Sequence, residues 1–436
     1  MGRVRAVRTG ARFAALTLTV ALACLALACG RNSQGQKAGR RDPELDRKVE
    51  EMLPRIAEFA HLPAGRVPAA RRADAATLEA YLLERIASEY PDDMLENVAL
   101  AYQTFGLLPD SVDLRALLVD LLLEQAVGYY DPARDVLFVR DEAPAAMVDA
   151  LLAHELVHAL QDQQTDLDSL VHSVTGNDAR AAIQAAMEGQ AMAAMLAYQY
   201  ATMTGTTLSA EQLPDIGPEM AGALTDAAAY PQLAQAPAIV REPLLFAYLG
   251  GLRFVQRLWR SQPSNPAPFG EWLPESTEQL IHTERLLGER DRPVALGIGE
   301  PGEGWQLVYG RDLGELEIRI YFEEHLQDPR AAARAAAGWD GDAYALLARD
   351  DELALVWYTA WDSAADADEF SDAYGRAFSA RFGAGGAAGE LAGQGRQARL
   401  DRLEVSGIPI VRVVETGVGA ELASPPVVGV TAAGGG

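Results

Sequence analysis

Five consecutive residues, His154-Glu155-Leu156-Val157-His158, carry the densest chemistry in this 436-residue chain. On a helix, side chains four apart share a face, so both imidazoles can address one metal ion while Glu155 stands beside them. Two ring nitrogens and an adjacent carboxylate are the working parts of a hydrolytic zinc centre. His154 and His158 are therefore the expected Zn2+ ligands. Glu155 can reach a metal-activated water without binding the metal, and its expected role is general base, then proton donor to the leaving amine. Leu151, Leu152, Leu156, Val157 and Leu160 cover the rest of the helix, so it reads as buried.

A catalytic zinc typically has three protein ligands and one open position. Glu188 is the first choice for the third. It lies in an Ala-rich helix expected over Asn177 to Tyr200, where Ala181, Ala185 and Glu188 share a face and Gly189 permits close approach to the His-bearing helix. Asp166, Asp168 and His172, in a polar loop expected between the two helices, are the alternatives. An HExxHxxGxxH arrangement is excluded, because Gln161 and Gln164 stand where Gly and His would be needed. Asp162, four residues after His158, could orient a ligand, or be no more than a polar residue at the helix end. His282, within Glu275 to Glu284, could stand behind the metal ligands or polarise the oxyanion, against a plainer packing or capping role.

These residues need elements to hold them. Pro43 to Phe59, Asp74 to Tyr90, Pro91 to Phe105 and Ser111 to Gln125 have apolar residues at helical spacing, so an all-helical layer is expected first, with His61 on its surface. Val127 to Arg140 changes to a strand-like period around Asp131-Pro132 and reads as a hairpin directly before the metal helix. Pro144 to Asp149 starts that helix, with Asp149 favourable near its positive end. Thr202 to Ile239 is weakly periodic, a connection or a flap, and Arg241 to Trp259 is helical again. Beyond Trp305, Glu315 to Phe322, Tyr344 to Arg349, Leu353 to Ala360 and Ile408 to Glu415 read as strands, with helices at Ala331 to Ala337 and Ala364 to Phe382. The expected fold class is α+β, a mainly helical metal-bearing domain over 43–295 followed by an α+β module over 296–425 and a flexible tail over 426–436.

The N-terminus reads as an address. Arg3, Arg5, Arg8 and Arg12 precede an apolar run from Phe13 to Ala28, the pattern of an export signal over 1–28, followed by a flexible tether over 29–42. A small residue before Cys29 resembles a bacterial lipoprotein signal, in which Cys29 becomes the lipidated first residue. Ala26 stands where such signals prefer Leu, and Cys24 is the second choice. These are the only two cysteines, so an exported domain holds no internal disulfide. The expected location is the cell envelope, with membrane contact through the lipid; the alternative is a secreted or periplasmic protein. The formal net charge is −25, and removing the four Arg of the signal leaves 33 basic against 62 acidic residues, or −29. Such a surface repels nucleic acid and anionic lipid.

Longer stretches add a resemblance. HELVHALQDQQTDL, Glu188 to Ala191 (EGQA), Ser276 to Leu286 (STEQLIHTERL) and Gly338 to Tyr344 (GWDGDAY) together resemble an uncharacterised family of bacterial exported, often lipid-anchored, metallopeptidases assigned by their motif. The wider resemblance is to gluzincins, in which two His and one Glu bind zinc. It implies a zincin-like catalytic domain and a peptide or protein substrate. In zincins a strand just before the metal helix is a sheet edge that pairs with extended substrate, which makes Val136 to Arg140 the candidate here, against an ordinary closed hairpin. Thr283 and Arg285 depart from the family's Pro and Lys. The competing class is a non-catalytic envelope lipoprotein with a structural zinc, against which the unligated Glu155 argues.

Overall fold

The computed structural model describes residues 39–90, 93–125, 127–213, 217–383, 389–420, 422 and 428–431. The expected export signal, Cys24, Cys29 and most of the tether lie outside the described residues. Helix α1 (Pro43–Ala60) starts where Asp42 accepts from the amides of Glu44 and Leu45. Helices α2 (Ala75–Glu89), α3 (Met94–Thr104) and α4 (Leu114–Gln125) follow where the periodicity places them. The layer is not all helical, however. Strands β1 (Arg40–Arg41), inside the expected tether, and β2 (Ala69–Ala73) join the hairpin β3 (Gly128–Asp131) and β4 (Val136–Arg140) in a sheet ordered β1-β2-β4-β3.

That order corrects one expectation. Val136–Arg140 is not an edge: it pairs antiparallel with β3 on one side and parallel with β2 on the other, so no ladder position is left for an added strand. The edge of the described sheet beside α5 belongs to β3. The sequence Ala69-Ala-Arg-Arg-Ala73 is a weak strand former on its own and pairs because its neighbour presents an edge.

Helix α5 (Ala145–Thr165) carries the HExxH pentapeptide, with Asp149 paired to Lys48 of α1. The loop expected after it contains a short helix, α6 (Leu167–His172), whose start Asp166 caps by accepting from the Ser169 amide. Helix α7 (Asn177–Thr204) is the central element, with every residue from Ala185 to Gln199 buried. The connection over 202–239 holds α8 (Gly217–Leu224) and α9 (Pro231–Gln235), and α10 (Ala238–Ser261) returns across α7. The two helices cross at glycines: a Cβ built on Gly189 would overlap the Gly251 backbone, and one on Gly251 would overlap the Ala185 carbonyl. Gly189 therefore serves the approach to α10 rather than the expected approach to α5.

Short helices α11 (Thr277–Ile281) and α12 (Glu284–Leu287) lead to β5 (Ala295–Ile298). A six-stranded antiparallel sheet follows, built from β6 (Gln306–Arg311), β7 (Trp339–Arg349), β8 (Glu352–Trp361), β9 (Glu390–Ala392), β10 (Arg396–Val405) and β11 (Ile408–Gly417), in the order β6-β7-β8-β11-β10-β9. Helices α13 (Gly314–Leu326), α14 (Pro329–Ala336) and α15 (Ala364–Phe382) accompany it. Glu315 to Phe322, expected as a strand, lies in α13. Its Leu316, Ile318, Ile320, Tyr321 and Phe322 are all buried, so the segment packs on more than one side and shows no clean helical stripe. Residues 428–431, expected in a flexible tail, form β12 (Val428–Thr431) against β5. The β5-β12 ribbon covers one apolar face of the sheet, including Leu347, Val356 and Ile410. The opposite face, with Leu346, Trp357 and Val413, joins a buried core that begins at Leu45 in α1. The chain is an α+β protein. Among the described residues no helix is long and apolar enough to cross a membrane.

Candidate metal centre

Two buried helices meet at the pentapeptide. His154 is fully buried, Glu188 is 4 % exposed and His158 7 %, and the three side chains converge from α5 and α7. His154 Nε2 lies 3.0 Å from Glu188 Oε2 and 3.0 Å from His158 Nε2, while His158 Nε2 lies 3.4 Å from the same Glu188 oxygen. A tetrahedral zinc with donors at about 2.0–2.1 Å holds them about 3.3–3.4 Å apart. The His158–Glu188 separation matches that span, and the two 3.0 Å separations would have to widen by a few tenths of an ångström. Two imidazole nitrogens aimed at each other and at one carboxylate oxygen are a donor set that a small cation satisfies.

The second layer decides which nitrogen faces inward. Gln190 Nε2 donates to the Ala60 carbonyl at the end of α1, which leaves Gln190 Oε1 to accept from Gln161 Nε2 at 2.9 Å. Gln161 Nε2 also donates to the Met187 carbonyl, so its Oε1 must be the acceptor for His158 Nδ1 at 2.8 Å. The proton of a neutral His158 then sits on Nδ1, and its Nε2 lone pair points into the triangle. His154 Nδ1, by contrast, is buried without a hydrogen-bond partner. The Tyr248 ring of α10 lies 6.2 Å from the His154 ring.

In the protein alone, the electrostatics of the cluster favour a protonated His158 beside an ionised Glu188. Burial alone would depress the His158 imidazole, but Glu188 beside it carries it up to about 9. Burial pushes Glu188 up, yet the two histidines, His158 foremost, bring it down to about 2. Glu155 is 1 % exposed, and its Oε2 accepts from the Tyr130 amide of β3 at 2.8 Å. Glu155 is also near enough to His158 to favour its charged form.

The structure thus brings together His154, His158 and Glu188 and sets Glu155 beside them. Other candidates fall elsewhere. Asp162 accepts from the Tyr130 hydroxyl at 3.1 Å and the Leu167 amide at 3.1 Å, so it ties α5 to β3 and α6 instead of orienting a metal ligand. The residue that holds the His158 ring is Gln161, one residue earlier. Asp166 caps α6, and the exposed His172 Nδ1 lies 2.8 Å from the Asp168 carbonyl, so the loop alternatives to Glu188 are engaged locally. His282 lies against the buried Glu315 at 2.9 Å and takes no place in the three-residue cluster. Gln161 and Gln190 were missed by sequence reasoning. Their signal was present in the spacing, since Gln161 follows His158 by three and Gln190 follows Glu188 by two, but a buried glutamine has no charge to announce it.

The model of one family, a domain of unknown function (DUF8575), matches residues 307–414, which run from β6 into β11 and do not include His154, His158 or Glu188. No curated protein and no solved structure matches the chain.

Proposed function

We propose that the chain is an exported, lipid-anchored zinc metallopeptidase of the gluzincin type, with a zincin-like catalytic domain, and that its substrate is a peptide or protein at the cell envelope. The observation that carries this reading is the convergence of His154 Nε2, His158 Nε2 and Glu188 Oε2 at 3.0–3.4 Å beside an acid that is not one of the three. His154, His158 and Glu188 would hold the zinc. When bound, zinc supplies an acidified water and a Lewis acid for the scissile carbonyl. Glu155 takes the proton of the attacking water and passes it to the leaving amine. Tyr130 fixes one Glu155 oxygen through its amide, which orients the carboxylate. Gln161 holds the His158 ring and its tautomer.

One feature favours a second reading, a non-catalytic lipoprotein with a structural zinc: the three ligands are almost wholly buried. Glu155→Gln separates the two. It preserves shape and metal, and under the peptidase reading lowers peptide hydrolysis by about 10²–10⁴-fold. Zinc content and turnover on a broad peptide library are measured on one preparation. Zinc-loaded wild-type protein that cleaves nothing, or full activity in Glu155→Gln, removes this mechanism.

A further inference from the structure

Two of the stretches noted in the sequence, STEQLIHTERL and GWDGDAY, have no part in the histidine cluster, and the fold brings a residue of each to the same group of carboxylates. Glu278 of α11, Asp291 after α12 and Asp362 after β8 each offer a carboxylate oxygen within 4.8 Å of the others. Asp340, from the second stretch, feels the charges of both Asp362 and Asp291. We propose that Glu278, Asp291 and Asp362 form a second metal site, for a hard divalent cation of the calcium type, that fastens the helical layer to the C-terminal sheet.

Three observations carry this, and none involves the histidine site. The donors are all carboxylate oxygens, the set that selects calcium over zinc. Arg285 is the cation already there: its guanidinium pairs with Asp291, and with Asp362 at 2.6 Å. One guanidinium is shared by Asp291 and Asp362, while burial and the nearby charge of Glu315 push Glu278 towards its protonated form, so an ion held by all three carboxylates takes the place of that proton. The third observation is independent of charge. Glu278 is 2 % exposed, its Oε1 has no hydrogen-bond partner, and a buried carboxyl oxygen left without a donor is costly. Glu315, close enough to act on Glu278 electrostatically, also buries an unpartnered Oε2. The side chains of Asp291 and Asp362 remain 25 % and 26 % exposed, so an ion has access from solvent and room to keep waters of its own.

The test uses the full, zinc-loaded chain, freed of calcium by exhaustive dialysis against calcium-free buffer, with calcium chloride as the probe. Thermal melts at millimolar calcium should rise by several degrees, because the ion binds the folded state alone. Magnesium, which tolerates only near-octahedral geometry, should raise them less. Terbium, which takes calcium sites, should show luminescence sensitised by the adjacent Trp361 and quenched by added calcium. Asp362→Asn and Glu278→Gln should each abolish the calcium shift while zinc content stays at wild-type level. If Glu278→Gln yields no folded protein, the more exposed Asp362→Asn decides alone. No calcium shift in the wild type, or an undiminished shift in Asp362→Asn, overturns the site and leaves Arg285 as its only counter-ion.

Discussion

At the scale of single residues, the least expected participant is Gln161. Its amide is fixed at both ends, and it holds His158 in the tautomer that presents Nε2 to His154 and Glu188. Gln161→Leu keeps the bulk and removes the acceptor. Zinc affinity, measured by competition with a chromogenic chelator, should fall by about 10–100-fold, and an unchanged affinity would assign the tautomer to something else. The His158–Glu188 pair gives a second prediction, for metal-free protein. Unfolded, the two groups titrate near 6.5 and 4.5. The raised histidine contributes stability that is whole below 6.5 and is lost as pH climbs through about 9. The lowered glutamate contributes stability that is whole above 4.5 and is lost as pH falls through about 2. Urea melts of metal-free protein should therefore show both contributions complete from pH 4.5 to 6.5 and a decline towards 9; a midpoint that does not change from neutrality to pH 9 would exclude the pairing. His154 and His158 were legible because helical spacing alone puts them on one face, and Glu155 because it adjoins the first of them. Glu188 was legible only with the ligand count added. Asp162 misled because it shares the face of His158 while β3, invisible from α5 alone, claims its carboxylate.

Among the elements, those with their own periodicity and caps could be read directly, and those shaped by neighbours could not. Helix α15 begins where Ser363 accepts from the Asp366 amide and ends at Gly383 in the left-handed region, both readable signals. Helix α13 offered alternating Ile and charged residues. Its start depends instead on Asp342, a residue of β7 that accepts from the amides of Leu313 and Gly314 and so caps α13 from across the fold. No local pattern contains that contact. The crossing of α7 and α10 is likewise a tertiary matter. With backbone facing backbone at Gly189 and Gly251, neither helix has a flexible side chain that could yield. Gly189→Ala should force the helices apart and cost about 1–3 kcal/mol or more, with a fall in zinc affinity because Glu188 is the preceding residue. Gly375→Ala is the control. Gly375 lies within α15 and a Cβ there meets nothing within 4 Å, so the substitution should stabilise by about 0.5–1 kcal/mol through helix propensity. Equal behaviour of the two variants in thermal melts would show that the crossing is looser than the backbone contact implies.

The described residues on either side of residue 295, the expected boundary between the helical domain and the α+β module, are bound together. Asp312, from the sheet half, accepts from the amide of Asn177 at 2.6 Å and that of Asp178 at 3.3 Å, so the helix that carries Glu188 has its positive end capped from the other side of that boundary. Phe105, at the end of α3, is fully buried with its ring 5.2 Å from those of both Tyr344 and Trp357 in the sheet. Arg381 donates to the Thr104 carbonyl at 2.6 Å, and the Tyr102 hydroxyl donates to Glu317 at 3.0 Å. A chain ending at 295 would expose Phe105, leave the amides of Asn177 and Asp178 without their carboxylate, and strip α10 and α11 of α13. Burying an aromatic of that size is worth about 3–5 kcal/mol by the cost of its removal, a large part of the 5–15 kcal/mol that ordinary domains have in total. Residues 39–295 alone should therefore be helical by circular dichroism yet melt without a sharp transition, and should bind zinc weakly despite retaining His154, His158 and Glu188. The full chain carrying Phe105→Ala should show the milder form of the same defect, a lowered melting temperature with zinc stoichiometry intact. Should the truncated protein melt cooperatively and hold zinc at full affinity, the histidine site would be an autonomous unit, and the sheet half would have to be explained by what it binds rather than by what it supports.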